Sequence, residues 1–270
     1  MVYVPGAAGA HAALAPARRA RGHAFLVGGA AACRADPLHT THWRATDATA
    51  ARALLVFSHR GGLELPGGGR NRSGPGGPFT EPCAPAAGRE LQEEAGLRLA
   101  PPLGEGDAVL TAVERASGRP RWQLYLRVVR SREEFYSGDW GAQPMEAWGL
   151  AGVPLCVEDV HAGGRVRGFP RALAAMPPWQ AHLLLPLLVQ GGVLTEEEAL
   201  VSAGAADAFL AAGGMRDTPA SGGDGDGAGG TLTAHLRASL ADLRDALPSA
   251  RHFEPLPEAA RGGSGAPALA

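Results

Sequence analysis

The chain contains no lysine: all 25 of its basic side chains are arginine, set against 27 acids for a formal net charge of −2. A balance so close to zero supplies no long-range field to steer the molecule toward nucleic acid or an anionic membrane. With Ala, Gly and Pro so abundant, arginine in place of lysine reads as a compositional bias, and an isolated arginine carries little functional weight. Cysteine is scarce as well. Cys33, Cys83 and Cys156 are odd in number, widely spaced and never arranged as C-x2-C, which speaks against a disulfide framework or a zinc site and for a reducing compartment. No apolar run approaches the roughly 18 residues that would span a membrane. Residues 1–22 hold three arginines and no acid, a composition compatible with an organelle import segment. An N-terminal extension without fixed structure is the simpler expectation, so cytoplasm or nucleus is expected, with organelle import left open.

What the chain does have is an acidic stretch near its middle, E-P-C-A-P-A-A-G-R-E-L-Q-E-E-A-G-L from Glu81 to Leu97. At about 100° per residue, Glu90, Glu93 and Glu94 share one side of a helix, while Leu91 and Ala95 lie opposite with Ala84 and Gly88. Pro82 and Pro85 fit a first helical turn and set its start near residue 83, and Gly96 supplies the left-handed residue that ends it. Carboxylates three and four residues apart repel one another, so the cluster asks for a compensating cation. Hard divalent ions such as Mg²⁺ or Mn²⁺ prefer such oxygen ligands. Arg89 cannot enter a metal shell, but it can pair with Glu81 and orient it. The bland meaning of a charge run is a solvated face.

These residues resemble the Nudix hydrolase motif, G-x5-E-x7-R-E-U-x-E-E-x-G-U with U a bulky apolar residue. Glu81, Arg89, Glu90, Leu91, Glu93, Glu94, Gly96 and Leu97 meet every term after the leading glycine. The leading position is Pro75, and Gly68 in L-P-G-G is its equivalent if about seven residues are inserted within Gly69–Phe79, an insertion a loop absorbs at small entropic cost. The resemblance implies an α/β (α+β) fold, a Nudix-type sandwich with a mixed sheet, covering residues 21–205. It also implies metal-dependent cleavage of a diphosphate bond, with Glu90, Glu93, Glu94 and Glu81 as the metal-binding acids. Catalytic roles fall to Glu93, Glu94 and Arg89, with Glu146 as a later acid that could serve as general base or merely be a solvated strand-edge acid. Outside the motif, G-H-A-F-L-V, G-L-E-L-P-G-G and V-P-L-C-V-E-D-V resemble the group containing the snoRNA-decapping enzyme that also acts as an inosine diphosphate phosphatase. That likeness implies His23 on the base and nucleotides or capped RNA as partners; Gly67 and Gly68 are further substrate-binding candidates, and Arg70 in the inserted loop is a candidate phosphate contact. In the group an aromatic before P-G-G lies against the base, where this chain has Leu65; Phe57, Trp148 and Trp179 are other stacking candidates.

Along the chain, residues 1–20 are expected to be an extension, 206–230 a Gly-rich linker and 231–270 an amphipathic helix with a tail. Strands are expected at Gly22–Cys33, Arg52–His59, Asp107–Arg115, Arg121–Arg130 and Met145–Pro154. Helices are expected at Pro177–Gln190 and, behind a Thr195–Glu198 capping box, to about Ala212. The stripe Leu232, Leu236, Leu240, Leu243 and Leu247 packs on the domain or against a partner helix, a second copy included, which would make a homodimer.

Overall fold

The computed structural model describes residues 2–7, 21–28, 52–58, 62–72, 74–75, 80–104, 107–113, 120–129, 135–137, 147–160, 162–214 and 230–246. The strands are β1 (Val2–Ala7), β2 (Arg21–Gly28), β3 (Arg52–Ser58), β4 (Leu63–Glu64), β5 (Gly67–Gly69), β6 (Leu97–Leu99), β7 (Ala108–Val113), β8 (Pro120–Val129), β9 (Phe135–Ser137), β10 (Ala147–Pro154), β11 (Cys156–Asp159) and β12 (Gly164–Arg167). The helices are α1 (Cys83–Ala95), α2 (Pro170–Ala175), α3 (Pro178–Gln190), α4 (Glu196–Ala211) and α5 (Leu232–Ala246). The main sheet runs β1-β7-β8-β2-β3-β10, with β4 on β3 and β5 on β2. β2 and β8 pair in parallel and the other neighbours are antiparallel, so the sheet is mixed, as expected.

Alternation along the strands divides the interior into two layers. Ala53 and Leu55 of β3, Leu110 and Ala112 of β7, and Leu124 and Leu126 of β8 pack on one face with α3, α4 and α5. Leu54, Val56, Val109 and Tyr125 occupy the other face with Ala87, Leu91 and Ala95 of α1. A period of two sends successive side chains to opposite faces, and both faces here are apolar because both are covered by helices. The result is a helix/sheet/helix sandwich of the mixed α/β class.

Local chemistry explains the helix ends. Gly96 adopts φ 66°, ψ 17° and its amide donates to the Gln92 carbonyl at 2.9 Å, closing α1. Thr195 and Glu198 form the reciprocal capping box of α4, with the Glu198 amide donating to Thr195 Oγ1 at 3.1 Å and the Thr195 amide to Glu198 Oε2 at 2.8 Å. α3 is apolar on nearly every side, as a helix enclosed by others must be.

Several expectations are corrected. Val2–Ala7, placed in an unstructured extension, form an edge strand on β7; Pro5 is accommodated because an edge strand need not donate on its outer side. β2 ends at Gly28, and residues 29–33 lie outside the described residues. α4 continues to Ala211, past the expected linker start at 206. Of the linker, 215–229 lies outside the described residues. Of the two readings of the leucine stripe, packing on the domain is the one seen: Leu232, Leu236 and Leu240 are buried in the core shared with α3. Asp207 of α4 accepts from the Leu232 amide at 2.8 Å, the Thr233 amide at 2.9 Å and Thr233 Oγ1 at 2.7 Å, tying down the start of α5. Leu243 and Leu247 cannot be placed in the same way, since the side chain of the first and the whole of the second fall outside the described residues. The β11–β12 hairpin and α2 were not anticipated. No helix among the described residues is long and apolar enough to cross a membrane.

Candidate active site

The site is built from β5, the residues that follow it, and α1. Cys83, Ala86, Ala87, Leu91 and Ala95 seat the helix, whereas Ala84 and Gly88, expected on the packing side, are only half-buried. This rotation carries Glu90 inward: it is 6% exposed, and its carboxylate lies against Gly68. A Cβ at Gly68 would sit 2.5 Å from each Glu90 oxygen, so any larger residue there would push the Glu90 carboxylate from its place against the strand. Gly68 thus has a physical role at the position the motif assigns to its leading glycine. Beside it, the Gly67 amide donates to Glu94 Oε2 at 2.9 Å, and Leu65 is positioned by a buried hydrogen bond from its amide to Gln180 Oε1 at 2.7 Å.

Arg89 is the hub. Its Nε and Nη2 donate to the two oxygens of Glu81 at 3.2 Å each, a forked pairing that fixes the carboxylate plane. Nη1 reaches Glu93 Oε2 at 2.7 Å and Glu90 Oε1 at 2.9 Å, and Nη2 also donates to the Gly69 carbonyl at 2.7 Å. The pairing with Glu81 was expected; the sharing with Glu90 and Glu93 was not. Burial alone would lower the Arg89 pKa, but the hydrogen bond to Glu81 and the charges of Glu90, Glu93 and Glu81 raise it further above its ordinary value. For Glu81, burial pushes the carboxyl up. The Arg89 hydrogen bond, the Asn71 amide at 2.7 Å and the charges of Arg89 and Arg70 outweigh it and hold the group below the usual carboxylate range.

Among the described residues, no three His, Cys, Asp or Glu side chains converge as ligands to a metal ion. The expected ligand set is instead spread around Arg89, which serves as compensating cation for Glu81, Glu90 and Glu93 while Glu94 accepts from Gly67. The chemistry of the donors still suits a hard cation. Three carboxylates, all oxygen donors, face one shared guanidinium, the fourth accepts from a backbone amide, and a formal excess of negative charge remains.

Arg70, expected on substrate, is 7% exposed, and its Nε donates to the backbone carbonyl of Glu81. With the Thr80 and Glu81 amides both donating to the Asn71 carbonyl, at 3.2 and 3.4 Å, it pinches the base of the lengthened loop. The residues flanking the insertion are therefore tied together, which leaves Glu81 in register with Arg89. The backbone of His23 pairs with Gly67 in the β2–β5 ladder; its side chain, like those of Phe57 and Trp148, lies outside the described residues, as does all of Glu146. Asn71, Gln180 and the Gly69 carbonyl were missed by sequence reasoning, because each acts through a contact that no local pattern announces.

No protein-family model matches the chain. No curated protein sequence matches it either. Among solved structures, the chain is similar to an ADP-ribose pyrophosphatase from Streptococcus suis 89-1591 at 16% identity, over 52% of this chain and 75% of that chain, with a TM-score of 0.27. The class of fold stated above follows from this chain's own strands and helices.

Proposed function

We propose that the protein is a Nudix-type pyrophosphohydrolase, dependent on Mg²⁺ or Mn²⁺, that cleaves the diphosphate bond of a nucleoside diphosphate derivative. The observation that carries this reading is the joining of Glu81, Glu90 and Glu93 through one guanidinium, beside a glycine strand whose Gly68 abuts Glu90 and whose Gly67 amide holds Glu94. Glu90, Glu93 and Glu94 would hold the metal, with Glu81 oriented by Arg89. Such a metal, when bound, neutralises phosphate oxygens and lowers the pKa of a coordinated water. This chain's part is to seat the diphosphate along β5 and to keep the acids in fixed orientation. Glu93, Glu94 or the later acid Glu146 would accept the proton of the attacking water, and His23 would meet the base. Within the class, a nucleoside or deoxynucleoside diphosphate or the cap of an RNA fits better than a dinucleotide or nucleotide sugar, on the motif stretches outside the helix.

A second reading is a domain that binds a nucleotide without turnover. It is favoured by the way Arg89 pairs with three of the four acids. Phosphate release from a panel of nucleoside diphosphates and capped RNA, with and without Mg²⁺ or Mn²⁺, separates the two. The hydrolase reading expects metal-dependent release that Glu94→Gln abolishes; binding without release supports the silent domain.

A further inference from the structure

We propose that Gln180 is a positioning residue for the reaction: from the opposite side of the sheet it holds the short segment that leads into the glycine strand, and so sets where the acids of α1 stand. The inference rests on the hydrolase reading above. Leu63 and Glu64 of β4 pair with β3, and Gly67 to Gly69 of β5 pair with β2, so the chain changes partners at Leu65 and Pro66, which belong to neither ladder. Both residues are buried. Proline has no amide to donate, which leaves the Leu65 amide as the backbone donor of this crossing. A buried amide needs an acceptor. It finds Gln180 Oε1 at 2.7 Å, 115 residues away in sequence.

Gln180 is itself held firmly. It is 1% exposed and lies in the first turn of α3, where its amide donates to the Pro177 carbonyl at 2.9 Å. Trp179, the residue before it, stacks on Trp122 of β8 with ring centroids 5.2 Å apart, and Leu183, Leu184 and Leu187 seat the rest of α3 in the core. A side chain locked by packing keeps what it holds in place. What it holds meets the acids within a few residues. The Gly67 amide donates to Glu94 Oε2 at 2.9 Å, Gly68 lies against Glu90, and the Gly69 carbonyl accepts from Arg89 Nη2 at 2.7 Å. Leu65 packs in the core on the α3 side of the sheet, whereas α1 lies on the other face, so the influence of Gln180 passes through the backbone of Leu65 to Gly68. With so little room between Gly68 and Glu90, a shift of the strand is passed on to the carboxylate.

The test compares three variants of the full chain with the native protein. Gln180→Met keeps the length of the side chain and loses the acceptor, and Gln180→Glu keeps an oxygen at the same reach. Leu188→Ala opens a fully buried position on the same helix, about 12 Å farther along its axis. Each is assayed well below its melting temperature with Mn²⁺ and adenosine, inosine and uridine diphosphates, and hydrogen exchange at the Leu65 and Gly67 amides is followed by NMR. The proposal expects kcat and Mn²⁺ affinity to fall roughly 10- to 100-fold in Gln180→Met, with faster exchange at both amides. Gln180→Glu and Leu188→Ala should keep most of the activity and the native exchange rate at Gly67, which separates positioning from damage to the fold. Activity or Gly67 exchange unchanged in Gln180→Met, or activity lost as deeply in either of the other variants, overturns the proposal and leaves the hydrolase reading intact. Should the native protein release no phosphate, the hydrolase reading fails and amide exchange decides this one. Exchange at Gly67 accelerated in Gln180→Met alone supports Gln180 as the anchor of the strand, and exchange unchanged there, or accelerated equally in the other variants, refutes it.

Discussion

A single methyl group at Gly68 probes how the glycine strand and the acids depend on each other. In Gly68→Ala the new carbon would lie 2.5 Å from both oxygens of Glu90, short of ordinary contact at 3.4–4 Å by about an ångström. Glu90 is 6% exposed and held at 2.9 Å by Arg89, so it can yield only by leaving the hub. Overpacking of this kind costs about 1–3 kcal/mol, equivalent to a fall in melting temperature of roughly 2–12 °C in a domain of this size. Activity should suffer more than stability, since a displacement of about 1 Å in a catalytic group can cost on the order of 100-fold in rate. The control is next door: a Cβ at Gly69 meets nothing within 4 Å, so Gly69→Ala should match the native protein in thermal stability. Thermal denaturation and metal-dependent phosphate release on the two variants make the comparison. Equal behaviour of the two, or full activity in Gly68→Ala, would refute the claim that Glu90 needs the space above Gly68.

Three further outcomes follow from the same geometry. Because the Glu81 pKa is lowered in the fold, its ionised form stabilises the native state above the ordinary carboxylate value of about 4.3. That contribution is lost as pH falls through the lower folded value, and Glu81→Gln should flatten this part of an acid denaturation curve. Burial pushes the Cys83 thiol up to about 11, with the Arg70 charge opposing and that of Glu81 adding. At pH 8 it should therefore resist alkylation in the native protein and react on unfolding, as peptide mass spectrometry would show; rapid native labelling would contradict its burial. Leu236→Ala should cost about 2–5 kcal/mol, read from chemical denaturation, because Leu236 is 1% exposed in the core shared by α5 and α3. A neutral result would mean that α5 does not dock.

The parts legible in the sequence are those governed by nearby residues. Pro82, Pro85 and Gly96 bracket α1, Thr195 and Glu198 announce α4, and alternation in R-W-Q-L-Y-L marks β8, because each signal lies within a few residues of its effect. Which acids gather around Arg89 was harder. Helical spacing puts Glu90, Glu93 and Glu94 on one side, but only packing of Ala87 and Leu91 against the sheet rotates Glu90 into the interior beside Gly68. Arg70 looked like a phosphate ligand from its position and instead closes a loop, since a buried guanidinium takes whatever carbonyl lies within reach. β1 escaped notice because its partner β7 is about a hundred residues away and Pro5 and Gly6 mask its pattern. Trp122 was unremarkable in sequence until β8 and α3 brought it against Trp179.

The central claim, that the α1 acids hold a divalent ion for diphosphate cleavage, is tested most directly by titrating Mn²⁺ into the native chain and into Glu93→Gln and Glu94→Gln while following free Mn²⁺ by electron paramagnetic resonance. Saturable binding is expected in the native chain, tightening with a nucleoside diphosphate present and weakening strongly in each variant. Binding that is absent, or equal in all three proteins, would contradict it.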